Sequence, residues 1–158
     1  MTGSIRRSAA ALAVAVASLG SVGIVAVATA TPGAALPTCG ASTDNWLTGT
    51  SGSWNTAGDW SAGVPTSTTN VCIDVSGTYT VDISGSGSAA TLQIGGATSG
   101  TQTLEIDGTT TSTVFDLFGA AVVDAGGVIN QNVTPNGYSE FEGSGTPSLT
   151  IASGKPMV

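Results

Sequence analysis

The chain has 158 residues, three basic side chains against ten acidic ones and no histidine, for a formal net charge of −7. A body this short holds one domain at most. Its acidity repels nucleic acid phosphates, and without histidine there is no Ser–His or Cys–His couple and no histidine metal ligand.

Read from the start, Met1–Arg7 carries Arg6 and Arg7, and Ser8–Ala28 is an uncharged Ala/Val/Leu/Gly/Ser run. Ala28-Thr29-Ala30 then follows as a small-x-small site. This is the order of a secretory signal peptide over residues 1–30, cleaved after Ala30, with Ala35 as a second cleavage position. The run is also long enough for an uncleaved membrane anchor, but Ala and Gly make it only weakly apolar. Cleavage would leave Lys155 as the sole basic residue against ten acids, a side-chain charge of −9, with no membrane insertion of the mature chain.

Residues 31–37 (TPGAALP) read as a flexible leader. Residues 38–70 are a Trp-rich segment that contains Trp46, Trp54 and Trp60, all three tryptophans of the chain, among turn residues such as Gly58-Asp59 and Pro65. Cys39 and Cys72 are the only cysteines, and they bracket the tryptophans. An even count in an exported chain predicts one disulfide between them, worth about 3–4 kcal/mol in the loop-entropy model. Two free thiols or a shared metal site are the other readings.

From Val71 onward the pattern is β. Short alternating runs appear at 71–75, 78–83, 90–94, 101–106, 113–118, 120–124, 127–129, 138–141 and 148–151. In TYTVDI, Tyr79, Val81 and Ile83 share one face and Thr78, Thr80 and Asp82 the other, so one face is buried and one wet. Ile83, Ile94, Ile106, Leu117, Ile129, Phe141 and Ile151 recur at a step of 10 to 12 residues. That step predicts an all-β parallel β-helix with about two such units per coil of 22–24 residues. An antiparallel β-sandwich is the alternative. A solenoid needs end caps, and the Trp-rich segment stands where the N-terminal one belongs. Residues 71–158 are then the coils, and the strand at 148–151 close to Val158 suggests that further coils belong to a longer protein.

The stretch with Trp54, Asn55, Trp60, Gly63, Val64, Pro65 and the strand at Val71–Val75 resembles the start of large exported bacterial β-helical proteins, autotransporter-passenger-like or adhesin-like repeat proteins. The resemblance covers residues 46–108. It implies a right-handed β-helix and a secreted or cell-surface location in a bacterium, and it implies no catalytic residue.

Candidate chemistry is sparse. Exposed tryptophan rings stack on sugars, so Trp46, Trp54 and Trp60 are candidate glycan contacts, against a reading in which they plug the end of the solenoid. Asp74, Asp82, Glu105, Asp107, Asp116 and Asp124 offer carboxylates, of which Asp82, Glu105 and Asp116 would align on one wet face of stacked coils. No His or Arg accompanies them in the mature chain. Isolated Asp82 and Asp107 turns leave room for an occasional Ca2+ but lack the nonapeptide calcium repeat, so no cofactor is expected. The sequence therefore points to a non-enzymatic structural or adhesive surface protein whose partner is an extracellular glycan or a host or cell-wall surface. A carbohydrate-binding module, and the front part of a β-helical polysaccharide hydrolase, are the alternatives.

Overall fold

A computed structural model describes residues 38–151 apart from Ser42, Thr111, Asn136 and Thr146. The expected signal peptide (1–30) and leader (31–37) lie outside the described residues. Twelve strands run in chain order: β1 (Asp44–Asn45), β2 (Gly52–Ser53), β3 (Asn70–Ile73), β4 (Tyr79–Ile83), β5 (Ser86–Ala89), β6 (Thr91–Ile94), β7 (Gln102–Asp107), β8 (Ser112–Leu117), β9 (Ala120–Val123), β10 (Gly127–Asn132), β11 (Tyr138–Gly143) and β12 (Ser148–Ile151). A short 3-10 helix at Ala57–Asp59 is the only helical element among the described residues.

The strands form three sheets. Sheet 1 has the order β1-β3-β6-β9-β12, sheet 2 the order β2-β4-β7-β10, and sheet 3 the order β5-β8-β11. Every strand pair is parallel. The chain visits the sheets in turn and winds into a right-handed β-helix of about four turns, which excludes the antiparallel sandwich. The coil itself differs from the sequence expectation: it has three strands, not two. In sheet 1, Val71 is in register with Leu92, Leu92 with Ala121, and Ala121 with Leu149, so successive coils take 21, 29 and 28 residues. The even step of apolar residues arises because they fall on all three sheets. Ile83, Ile106 and Ile129 lie in sheet 2, Ile94 and Ile151 in sheet 1, and Leu117 and Phe141 in sheet 3.

Alternation fills the interior. Tyr79, Val81 and Ile83 are buried in β4, and Leu104 and Ile106 stack on Val81 and Ile83 from β7. Gln102 and Thr113 are the buried polar exceptions in the coils. The Gln102 amide donates to the Gly77 carbonyl at 2.7 Å. The Thr113 hydroxyl donates to the Asp107 carbonyl at 2.6 Å and accepts the Gly85 N–H at 2.9 Å. Both brace corners where the backbone leaves a sheet. A β-carbon at Gly100, whose φ is +90°, would lie 2.1 Å from the Gly77 carbonyl oxygen of the coil before. Only glycine tolerates both that conformation and that approach.

The Trp-rich segment is not all loop. Its β1 and β2 are the first rungs of sheets 1 and 2, and Trp46 then forms an antiparallel bridge with Trp60. Leu47 N–H donates to Asp59 O and Ser61 N–H to Asn45 O, both close to 3 Å. The buried Asp44 carboxylate accepts from the Ser61 hydroxyl and the Ala62 N–H. An antiparallel segment laid on the outermost parallel strand occupies the edge of sheet 1 that another strand would otherwise extend. The disulfide between Cys39 and Cys72, with Cα atoms 5.5 Å apart, ties the entering chain to β3.

Inside this lid the aromatic rings form a continuous column. Tyr79 stacks on Trp46 at 6.4 Å between centroids, Trp46 meets Trp60 edge-on at 5.0 Å, and Trp60 meets Trp54 at 4.9 Å. Trp54 meets Phe115 at 5.2 Å, and Phe115 meets Phe141 at 5.4 Å. The column passes through β5 because Gly87, in register with Phe115, has no side chain. A β-carbon there would sit 3.1 Å from both Ile83 and Phe115. Replacing Trp54 by Ala removes the ring that joins the lid to the coils and is expected to cost about 3–5 kcal/mol, the range for a large buried aromatic. The exposed Phe118→Ala should stay within about 0.5 kcal/mol of the parent. Urea denaturation followed by circular dichroism measures both, and equal midpoints for the two variants would refute the role given to Trp54.

Candidate functional site

The three tryptophans proposed from sequence as glycan contacts are 1%, 0% and 3% exposed, in the order Trp46, Trp54, Trp60. A sugar stacks on an open ring face, and these rings are enclosed, each packed against at least two other aromatic rings, with Trp54 at the floor of the cleft beside Asn55 and Pro65. Two of the indole N–H groups are also used internally. Trp60 Nε1 donates to the Trp54 carbonyl at 2.8 Å and Trp46 Nε1 to the Thr50 carbonyl at 3.3 Å. The ring faces thus serve packing, and sequence composition alone does not distinguish a buried ring cluster from a displayed one.

The carboxylates divide between two sheets. Asp82 and Glu105 are partners in register on the outer face of sheet 2, between Ser53 and Asn130. Asp116 is not on that face. It belongs to sheet 3, in register with Ser88 and Glu142. The expected three-carboxylate alignment fails because the coil has a third sheet, which carries Asp116 around the corner from the other two.

Asp82 is the perturbed member of the sheet 2 pair. Burial pushes its carboxyl above the usual range, and the negative charges of Asp107 and Glu105 add to the effect. Two carboxylates on neighbouring rungs, one of them raised, have the general form of an acid/base pair. Asp82 Oδ1 is buried and no protein donor reaches it, yet neither carboxylate lines the cleft beside Asn55 and Pro65 or the one between Gly40 and Gln93. Glu105 Oε2 accepts from Asn130 Nδ2 at 3.1 Å, which ties it into the ladder. The remaining acids serve locally or stand at corners. Asp107 Oδ1 accepts the Thr109 N–H, and Asp124 Oδ1 accepts the N–H of Ala125. Asp74 raises the already buried Tyr79 phenol, which is pushed up to about 12, chiefly by burial.

Asp74 also has a carboxylate oxygen within 4.8 Å of the Cys39 and Cys72 sulfurs. Those sulfurs are bonded to each other, so they offer no thiolate pair to a metal.

Sequence reasoning missed the outer face of sheet 3. Phe118 and Tyr138 are 40% and 49% exposed, the two open aromatic rings among the described residues. A cleft of about 340 Å³ lies at the lid end of the same sheet, bounded by Asn55 and Pro65 on one side and by Ser86, Ser88, Val114 and Asp116 on the other. The signal was present in the alternation of TVFDLF, which places Phe115 and Phe118 on opposite faces.

Comparison with family models, with curated proteins and with solved structures found no match.

A raised carboxyl destabilises the fold when ionised. Asp82 should contribute nothing adverse while protonated in both states, and its unfavourable contribution should grow as pH rises from the unfolded value near 3.8 through the higher folded value. Asp82→Asn is therefore expected to melt higher than the parent at pH 7 and level with it at pH 3. A thermal melt at both values checks this, and an advantage confined to acid pH would reverse the assignment.

Proposed function

We propose that this chain is an exported, non-enzymatic β-solenoid of the cell surface or extracellular space, with a structural or adhesive role. The observation that carries the reading is the register of the outer columns. Thr80 stands on Thr103, and Ser53, Asp82, Glu105 and Asn130 stack in one line, with one residue from each coil. Parallel strands lie about 4.8 Å apart, so such columns present polar groups at short, regular intervals along a stiff rod. A disulfide-tied lid supports the reading, since disulfides persist in oxidising compartments. The paired carboxylates of sheet 2 line neither the cleft beside Asn55 and Pro65 nor the one between Gly40 and Gln93, which favours display over catalysis. The signal-peptide pattern of residues 1–30 and the resemblance of residues 46–108 to exported β-helical surface proteins point the same way.

The test is expression of the full chain in a bacterial host with export followed directly. The expected product begins at Thr31, carries the oxidised Cys39–Cys72 pair and is labelled at the outside of intact cells or in the medium. It releases no reducing ends from polysaccharides. Retention in the cytoplasm with Met1 or Thr2 at the N-terminus, or measurable polysaccharide cleavage abolished by Asp82→Asn, would overturn the proposal.

A further inference from the structure

The two exposed aromatic rings share one face. In β8, Thr113, Phe115 and Leu117 are buried while Ser112, Val114 and Asp116 point outward, and one more step of the alternation brings Phe118 to the outer side. Tyr138, in β11, is the register partner of Ser112, and Glu140 and Glu142 are the partners of Val114 and Asp116. At about 3.3 Å per residue, the two rings mark the ends of a strip about 20 Å long. The Tyr138 hydroxyl donates to the Glu140 carboxylate, which holds the ring along the strip and raises the phenol above its ordinary value.

The strip between the rings is polar with an apolar centre. Val114 lies in the middle, Ser86 and Ser88 occupy the rung nearer the lid, and Asp116 stands in the cleft under Asn55 and Pro65. Ser144 Oγ donates to Asp116 Oδ2 at 3.1 Å. Asp116 Oδ1 is buried in the cleft wall and no protein donor reaches it. A buried carboxylate oxygen gains most from a ligand that brings a donor.

We propose that the outer face of sheet 3 binds an extended neutral polysaccharide. This rests on the adhesive reading above and names its ligand class. The two rings at the ends of this strip, with Phe118 one residue past β8 at the bend into β9, offer stacking platforms for sugar faces. Between them the carboxylates accept hydrogen bonds and the serine hydroxyls both accept and donate, as the hydroxyls of a glycan require. The charge selects among glycans. Asp116, Glu140 and Glu142 stand here, and no described residue is a Lys or Arg, so a uronic acid polymer or a nucleic acid is repelled. A basic peptide would satisfy the carboxylates but gain nothing specific from Val114, Ser86 or Ser88.

The test compares the full chain with the double variant Phe118→Ala/Tyr138→Ala. Affinity electrophoresis and calorimetry would use β-1,4-linked gluco-, manno- and N-acetylglucosamine oligosaccharides, with a polyuronate and polylysine as charged controls. The parent is expected to bind at least one neutral oligosaccharide, with little change on adding salt. The double variant should lose about tenfold or more, from two lost stacking contacts, while its melting temperature stays at the parent value because both rings are exposed. Asp116→Asn should weaken binding as well. No binding to any of the three neutral series, or binding undiminished in the double variant, overturns the inference. So does binding to polylysine alone that salt abolishes. These outcomes leave the adhesive reading standing if the chain still reaches the cell exterior, whereas failed export leaves the binding result intact.

Discussion

The column of rings from Tyr79 through Trp46, Trp60 and Trp54 to Phe115 and Phe141 is the contact on which the rest of the molecule depends. Six of the chain's eight aromatic residues take part in it. A narrow solenoid buries little apolar area per coil, because each strand contributes only two or three inward side chains. Large rings compensate by filling the bore in depth from the lid to β11, and they join residues that are far apart in sequence but adjacent along the axis. Gly87 is the complementary constraint: Phe115 and Ile83 crowd the space at the front of β5, and only a residue without a side chain leaves it to them.

The two ends of the described rod are built differently. At the first, β1 and β2 complete only two of the three sheets, and the chain then turns back on itself so that Trp60 bridges Trp46. Trp54 and Pro65 lie against β5 where a third strand would stand. At the other, β10, β11 and β12 are the outermost strands of sheets 2, 3 and 1, and Ile129, Phe141 and Leu149 are only partly buried, whereas Leu104 and Phe115 are fully enclosed. Packing is therefore densest near the lid and thins along the axis. The column from Ser53 through Asp82 and Glu105 to Asn130 stays polar along the axis, whereas Thr80 and Thr103 are followed by exposed Val128.

Much of the fold was legible in the sequence. Alternation in TYTVDI and TQTLEI assigned the inward faces of β4 and β7, and the apolar step with turn glycines indicated parallel stacking. The cysteine pairing followed from there being two cysteines. What was not legible has a physical reason in each case. The strands β1, β2 and β5 are short and made of Asp, Asn, Gly, Ser and Ala, so no apolar alternation marks them. The unmarked β5, together with an apolar step that passes from Leu117 to Ile129 over β9, turned a three-sided coil into a two-sided one and placed Asp116 beside Asp82 and Glu105. The tryptophans read either as plugs at the solenoid end or as glycan contacts, and their burial favours the plug, a choice composition could not make because it does not say which way rings face. Phe118 drew no notice as a surface residue since it follows Leu117 in an apolar run.

Native-state hydrogen exchange of the oxidised chain tests the central claim most directly, because it reports opening free energy strand by strand. If the aromatic column and lid anchor the solenoid, the slowest amides are those of β4, β6, β7 and β8, and protection falls through β9 to the outermost β10, β11 and β12. Equal protection along the rod, or slowest exchange in β10–β12, would contradict the account.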